Sequence, residues 1–492
     1  MKRKIYDRLL EWKKRSNGKT ALLIDGARRV GKSYIAEEFA KNEYASYVIV
    51  DFVKAKPALK RIFNEYLDDL DTFFLFFQRL TKTKLVRNDA LVIFDEIQRF
   101  PRAREAIKYL VADGRFHYLE TGSLISINRN VKDIVIPSEE RHLEMFPMDF
   151  EEFLWALGDE VTMPLVERCF RERSPLGDDV HRGIMDVFRQ YMVVGGMPQA
   201  VQTYVQTRDL EEVDQVKRDI LHLYRADIRK FGGVVRHKAL AVFNSIPSQL
   251  SKHEKRIVLS EIRSGAKMRD FDSTFEWLKS AMTVNVCYNS TEPNVGLDMN
   301  TDRQTLKCYL GDTGLLISQA FGENEMTAAD IQGRILMGAI EINKGMLMEN
   351  VVAQMLRASG HRLFFYSNAD REHAEDRMEI DFLLDKPTLT RRHNISPVEV
   401  KSTKQYSTVS LDKYRRKYSK FLAESFVLHI KDLEQGDGVT RLPVYMAPLL
   451  VKGAWRALEV SEPEGTADLS VVGQKAVGPT RGCHSRGGMI QS

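Results

Sequence analysis

The sequence predicts an α/β chain of several domains, and three observations carry that prediction. Short apolar runs of strand length alternate with helical stretches near the N-terminus, a long helical middle follows, and further apolar runs appear after residue 300. At 492 residues the chain is too long for one hydrophobic core. The boundaries expected are 1–150 for a parallel sheet with flanking helices, 151–232 for a helical layer, and 233–300 for a smaller, mainly helical piece. A second α/β domain at 301–457 and a disordered tail at 458–492 complete the chain.

Composition narrows the class. The 43% hydrophobic and 29% charged content is that of a globular protein in water, and a net charge of +5 permits nucleic-acid contact without arguing for it. Cys169, Cys287, Cys308 and Cys483 are far apart with no Cys-x-x-Cys spacing, so neither a zinc site nor a disulfide framework is expected, and the expected location is cytoplasmic. The opening MKRKIYDRLLEWKKRSNGK is basic, but Arg8, Glu11 and Lys13 interrupt any signal-peptide core. It reads as an amphipathic helix with Tyr6, Leu9, Leu10 and Trp12 turned inward. TFFLFFQRL from Thr72 is about half the length a bilayer requires and reads as a core helix, so no membrane contact is expected.

Ala21 to Ile24 form a first buried strand, which runs into Gly26-Ala27-Arg28-Arg29-Val30-Gly31-Lys32-Ser33. This is the full G-x-x-x-x-G-K-[ST] pattern of a phosphate-binding loop (P-loop): backbone N–H groups cradle phosphates, Lys32 reaches the β/γ-phosphates, and the Ser33 hydroxyl binds Mg²⁺. Ile35 and Phe39, four apart, set the inner face of a helix whose N-terminus would point at the phosphates. Tyr47 to Phe52 is a second strand. Leu91 to Phe94 is a third, and it ends in Asp95-Glu96. There Asp95 would hold the metal and Glu96 would polarise the attacking water, which makes ATP and Mg²⁺ the expected cofactors and Lys32 and Glu96 catalytic. A fourth strand, Phe116 to Leu124, turns at Thr121-Gly122-Ser123 and would place Thr121 and Ser123 beside the γ-phosphate. Four strands separated by helices give a parallel sheet with its ligand at the carboxyl ends.

GARRVGKS, IFDEIQ, TGSL, FPMDFEEFL and GGMPQAV resemble, in that order, the landmarks of the AAA-type ATPases of bacteria and archaea that end in a domain of uncertain function. The resemblance spans Lys4 to about Leu450. It implies ATP hydrolysis, offers Thr121 or Ser123 as the polar sensor, and suggests a homo-oligomer. Where that family carries Gly-Arg, this chain reads EERHLEMFP, so Arg141 is the candidate phosphate sensor and a solvated charge is the competing account.

In the middle, VDQVKRDILHLYRADIRKF puts Val216, Ile220 and Leu223 on one helix face, with Arg225 and Asp227 on a solvated face. Gly195-Gly196-Met197-Pro198 marks a turn, and the region 151–232 would cover the nucleotide as a helical lid. Residues 233–289 resemble a winged helix, which would contact DNA or dock a protein.

Near the C-terminus, Glu349 lies in a helical run, Asp381 in the strand EIDFLL, and Glu399 and Lys401 in PVEVKS. Residues two apart on a strand share a face, so a carboxylate and a lysine here point together. The order resembles the PD-(D/E)XK nuclease superfamily, and the resemblance implies a second Mg²⁺ or Mn²⁺ held by Glu349, Asp381 and Glu399 with Lys401 activating water. Two functions from different classes follow: an ATP-dependent DNA-processing enzyme, or an ATP-controlled switch that binds a protein partner through an inactive nuclease-like domain.

Overall fold

The apolar runs of the first 150 residues become strands where expected: β1 (Ala21–Gly26), β2 (Ser46–Asp51), β3 (Ala90–Asp95) and β4 (His117–Gly122). The computed structural model describes residues 1–122, 138–252, 255–292, 296–321, 332–333, 344–368, 376–385 and 395–450. All of these lie within one compact unit, Met1–Trp455; a second, Arg456–Ser492, lies outside the described residues, and so does the tail expected at 458–492.

Helices α1 (Ile5–Ser16), α2 (Lys32–Glu43), α3 (Pro57–Glu65), α4 (Leu70–Thr81) and α5 (Pro101–Asp113) flank the strands. The sheet has five parallel strands in the order β2-β3-β4-β1-β5, and the fifth, β5 (Glu140–Met145), corrects the expectation of four. Its sequence, ERHLEM, lacks an apolar run because it is the edge strand and hides its charge by pairing. Arg104 on α5 donates to both carboxylate oxygens of the buried Glu140, from Nε at 3.0 Å and Nη2 at 2.6 Å. His142 adds contacts to Glu140 at 2.8 Å and to Asp25 at 3.4 Å. In α1, Ile5, Leu9 and Trp12 are buried as an amphipathic helix requires, whereas Leu10 is turned outward. In α4, Phe73, Phe74 and Phe77 enter the core while Leu75 and Phe76 are exposed.

A helical layer follows: α6 (Phe150–Ala156), α7 (Thr162–Glu172), α8 (Asp178–Val194), α9 (Pro198–Thr207) and α10 (Leu210–Phe231). The inner stripe of α10 is Val213, Lys217, Ile220, Tyr224 and Ile228, with Asp214 also buried. Val216 and Leu223, expected inward, are only half-buried. The face is rotated because two charged residues are on it: Lys217 donates to the Val193 carbonyl at 2.8 Å, and Asp214 accepts from Ser318 at 2.6 Å.

Helices α11 (Arg236–Leu250), α12 (Leu259–Ile262) and α13 (Asp272–Ser280) lead into β6 (Val284–Ser290) and β7 (Thr301–Leu310). Then come α14 (Thr313–Phe321), α15 (Lys344–Ala358), β8 (Phe364–Asn368), β9 (Met378–Asp385), β10 (Ile395–Val400), α16 (Val409–Lys417), β11 (Ser425–His429), β12 (Glu434–Gly436) and β13 (Val439–Pro443). These strands form one mixed sheet, β12-β13-β11-β10-β9-β8-β6-β7. The boundary expected at residue 300 falls between β6 and β7, which are antiparallel neighbours in it.

One apolar core runs from the α2 face of the first sheet, through the helical layer, to the second sheet. At its centre is the glycine turn. A Cβ on Gly195, at φ +83°, would stand 2.3 Å from Asp312 Oδ1, and one on Gly196 would stand 2.1 Å from the Met148 carbonyl oxygen. No larger residue fits at either place. The Gly196 N–H donates to Asp312 Oδ2 at 2.6 Å, and the Met148 N–H donates to the Gly196 carbonyl at 2.6 Å.

Two predictions follow from the buried charges at β5. Arg104→Met, which takes both guanidinium donors from the buried Glu140 carboxylate and leaves it His142, should cost about 3 kcal/mol in denaturant unfolding. Hydrogen bonds to Asp25 and Glu140 push His142 up to about 9, so its contribution to stability is complete below its ordinary value of about 6.5 and is lost as pH rises through 9. The melting temperature of the wild-type protein should therefore fall more steeply between pH 7 and 9.5 than that of His142→Gln.

Candidate functional site

The first site is made where β1 ends. Gly26 pairs with Met145 across the sheet, and a Cβ on it would meet the Met145 carbonyl oxygen at 2.4 Å, so only glycine lets the chain turn here. Arg29 and Gly31 both take left-handed conformations, at φ 71° and 97°, and α2 starts at Lys32. The loop thus presents the amino end of a twelve-residue helix to whatever binds there. Lys32 folds back on it, donating to the carbonyls of Gly26 and Ala27 at 2.9 Å each. Burial pushes its ammonium down to about 8, against the pull of Glu96, Asp25 and Asp95.

Sheet order brings the remaining groups in. With β4 between β1 and β3, Ile24 lies beside Thr121 and Phe94 beside Glu120, so the carboxyl ends of three strands meet at the loop. Ser33 Oγ donates to Asp95 Oδ1 at 2.7 Å, and the Thr121 hydroxyl donates to the same oxygen. The Glu96 N–H reaches Thr121 Oγ1 at 3.4 Å, and Gln98 Nε2 donates to Glu96 Oε2 at 2.6 Å. Sequence reasoning named Ser33, Asp95, Glu96 and Thr121 but not Gln98, which holds Glu96. A hydroxyl and a carboxylate at this spacing suit a hard cation that prefers oxygen, and the residues fit Mg²⁺. Ser123 lies outside the described residues.

A cavity of about 570 Å³ opens over the loop, lined by Arg28, Arg29, Lys32, Ser33 and Glu96 on one side and by Pro198, Gln199, Gln202 and Val205 of α9 on the other. That volume suits a small-molecule ligand. Two further contacts bind the loop to its surroundings. Arg28 pairs with Asp227 at 2.8 Å, and Tyr224 donates to the Arg28 carbonyl at 3.0 Å, so the end of α10 touches the loop. This corrects the solvated-face reading of Asp227; Arg225 bonds Asn244 at 3.0 Å. The buried Arg3 donates to the carbonyls of Val30 at 2.9 Å and Phe146 at 2.7 Å, and its Nε lies 3.0 Å from Glu152. Lys4 sits 2.6 Å from both Asp149 and Glu151. The signal that would have revealed this strap is charge complementarity between the opening MKRK and the acids of FPMDFEEF.

Arg141 is not brought to the loop. It pairs with Leu22, four residues down β5 from the Met145–Gly26 pair and so about 13 Å away along the strand. Its side chain is exposed, and the solvated charge is the account the geometry supports.

The C-terminal residues do converge. Glu349 on α15, Asp381 on β9, Glu399 on β10 and Lys401 just beyond it form one cluster, with Lys401 Nζ 2.8 Å from Glu399 and the Val400 N–H donating to Asp381 Oδ2 at 2.8 Å. Burial raises Glu399 to about 7, with Lys401 opposing. Two lysines that sequence reasoning missed stand inside the cluster. Lys307 Nζ lies 2.7 Å from Glu379 and 3.7 Å from both Glu349 and Asp381, and the Lys255 ammonium bonds Glu349. Among the described residues no three His, Cys, Asp or Glu side chains are grouped as a metal ion would require. The residues do not fit the second Mg²⁺ or Mn²⁺ expected from the sequence, because ammonium groups already stand between the carboxylates.

Residues 18–154 match the AAA domain family, residues 185–325 a domain of unknown function (DUF8612), and residues 344–446 another domain of unknown function (DUF4143). The N-terminal part is therefore an ATP-binding domain of AAA type. No curated protein matches the chain in sequence. Among solved structures, the Walker-type ATPase of Pyrococcus abyssi is similar at 15% identity and a TM-score of 0.37, over 65% of this chain and 95% of that one. Drosophila ORC bound to DNA gives 13% and 0.27 over 65% and 95%, and AMPPCP-bound DnaA from Aquifex aeolicus gives 12% and 0.23 over 57% and 86%. Overlays this loose carry no function across.

The state of Lys32 makes the first site sensitive to pH. Phosphates bind its charged form, which the nucleotide-free protein loses above about 8. Affinity for ATP should hold from pH 6.5 to 7.5 and weaken by up to about tenfold per pH unit above 8, with proton uptake on binding measurable by calorimetry at pH 8.5.

Proposed function

We propose that this chain hydrolyses ATP with Mg²⁺ in the cavity over the P-loop and couples turnover to a partner held by its C-terminal half. The observation that supports this most is the meeting of the Ser33 and Thr121 hydroxyls on one Asp95 carboxylate oxygen, next to a loop whose Lys32 folds back on the Gly26 carbonyl. When bound, Mg²⁺ neutralises phosphate charge. Lys32 would exchange the Gly26 and Ala27 carbonyls for the β/γ-phosphates, and Ser33 and Asp95 would hold the ion. Glu96, oriented by Gln98, takes a proton from water as the water oxygen bonds to the γ-phosphorus and the bond to the β-phosphate oxygen breaks. Thr121 fixes Asp95 and accepts from the Glu96 backbone.

Contacts already described tie the loop to α10, through Arg28 and Asp227, and the glycine turn to the start of α14, through Gly196 and Asp312, and coupling would run through these elements. An enzyme acting on DNA and a switch acting on a protein would both use them. The lysines among the C-terminal acids favour the second, because they suit a binding module better than a hydrolytic centre. The location that suits this reading is the cytoplasm; no helix among the described residues is long and apolar enough to cross a membrane.

ATP hydrolysis by the full chain, with and without duplex DNA, tests the reading. Glu96→Gln should lower kcat by about 10²–10⁴-fold while leaving nucleotide affinity intact. Glu96-dependent turnover indifferent to DNA assigns the partner to protein, stimulation by DNA assigns it to nucleic acid, and turnover unchanged in Glu96→Gln defeats the proposed mechanism.

A further inference from the structure

The cluster around Glu349 holds its own cation. We propose that the Lys307 ammonium permanently takes the place a divalent ion would occupy, so that the C-terminal acids form a metal-independent ion-pair hub. Its position in the fold carries the inference. Lys307 lies on β7 opposite Cys287 of β6, and its side chain is 1% exposed. Its ammonium meets carboxylates from two elements, Glu349 on α15 and both Glu379 and Asp381 on β9. The ring of Phe365 lies 5.0 Å beneath it, an aromatic face that attracts an ammonium and offers nothing to a hard divalent ion.

Glu349 and Asp381 already have hydrogen-bond donors. Glu349 accepts from Tyr309 at 3.1 Å and from Lys255, and Asp381 accepts from the Val400 N–H. Four carboxylates, Glu349, Glu379, Asp381 and Glu399, face three ammonium groups, Lys255, Lys307 and Lys401. Most of the cluster's charge is therefore already matched from within. The inference concerns a site separate from the P-loop and stands whether or not ATP is hydrolysed there.

Mn²⁺ titration of the nucleotide-free full chain, followed by electron paramagnetic resonance, tests it. Wild type and Asp381→Asn should give superimposable curves, and a Mn²⁺ site present in the first and lost in the second would overturn the proposal. So would metal-dependent cleavage of plasmid DNA that Asp381→Asn abolishes. Lys307→Met, with the ammonium removed at similar length, should acquire a Mn²⁺ site and a melting temperature that rises with Mn²⁺. A folded Lys307→Met protein that takes up no Mn²⁺ would also overturn the idea, and if that variant does not fold the Asp381→Asn comparison still decides.

Discussion

The buried carboxylate of Asp312 is the point on which the arrangement of the two sheets depends. Burial raises it above the ordinary carboxylate range, and N–H donors from Gly196 and Leu315 work the other way. Those donors come from the turn after α8 and the first turn of α14, so satisfying one acid fixes two elements that belong to different parts of the chain. Gln354 of α15 joins the same network through the Tyr191 hydroxyl, which in turn donates to the Met148 carbonyl. A polar group so deep in an apolar core is costly unless every lone pair finds a partner, and this requirement sets the approach of four segments more tightly than apolar packing would.

The same device recurs at smaller scale. Arg104 and Glu140 fix the edge strand of the first sheet, Asp214 and Lys217 fix α10, and the lysines among the C-terminal acids fix β7 against α15 and β9. In each case removing one member would leave the other charged and buried, which is why such pairs define a single arrangement. The molecule has a continuous apolar core for cohesion and a few internal charges for register.

What could be read from the sequence follows from this division. Strands β1 to β4 were legible because buried parallel strands are written as apolar runs, and the loop because its glycines, lysine and serine sit at fixed spacing. β5 was not, because ERHLEM hides a carboxylate by an ion pair with a helix 36 residues earlier in the chain. The inner face of α10 was misplaced for a related reason: periodicity counts apolar residues, and this face includes Asp214 and Lys217. Lys307 reads as an ordinary strand residue, and Arg3 as part of a basic start. Their partners lie far away in the chain, and a single sequence does not say which distant charges will meet.

Arg3 has one more consequence. The match to the AAA domain family begins at residue 18, yet the guanidinium that holds the Val30 carbonyl and the apolar face of α1 both lie before it. A fragment excised at the start of the matched region would retain every residue of the nucleotide-binding pattern and lack the Arg3 contact to the loop's Val30 carbonyl. In this protein the contacts that hold the loop reach beyond the stretch matched to the family.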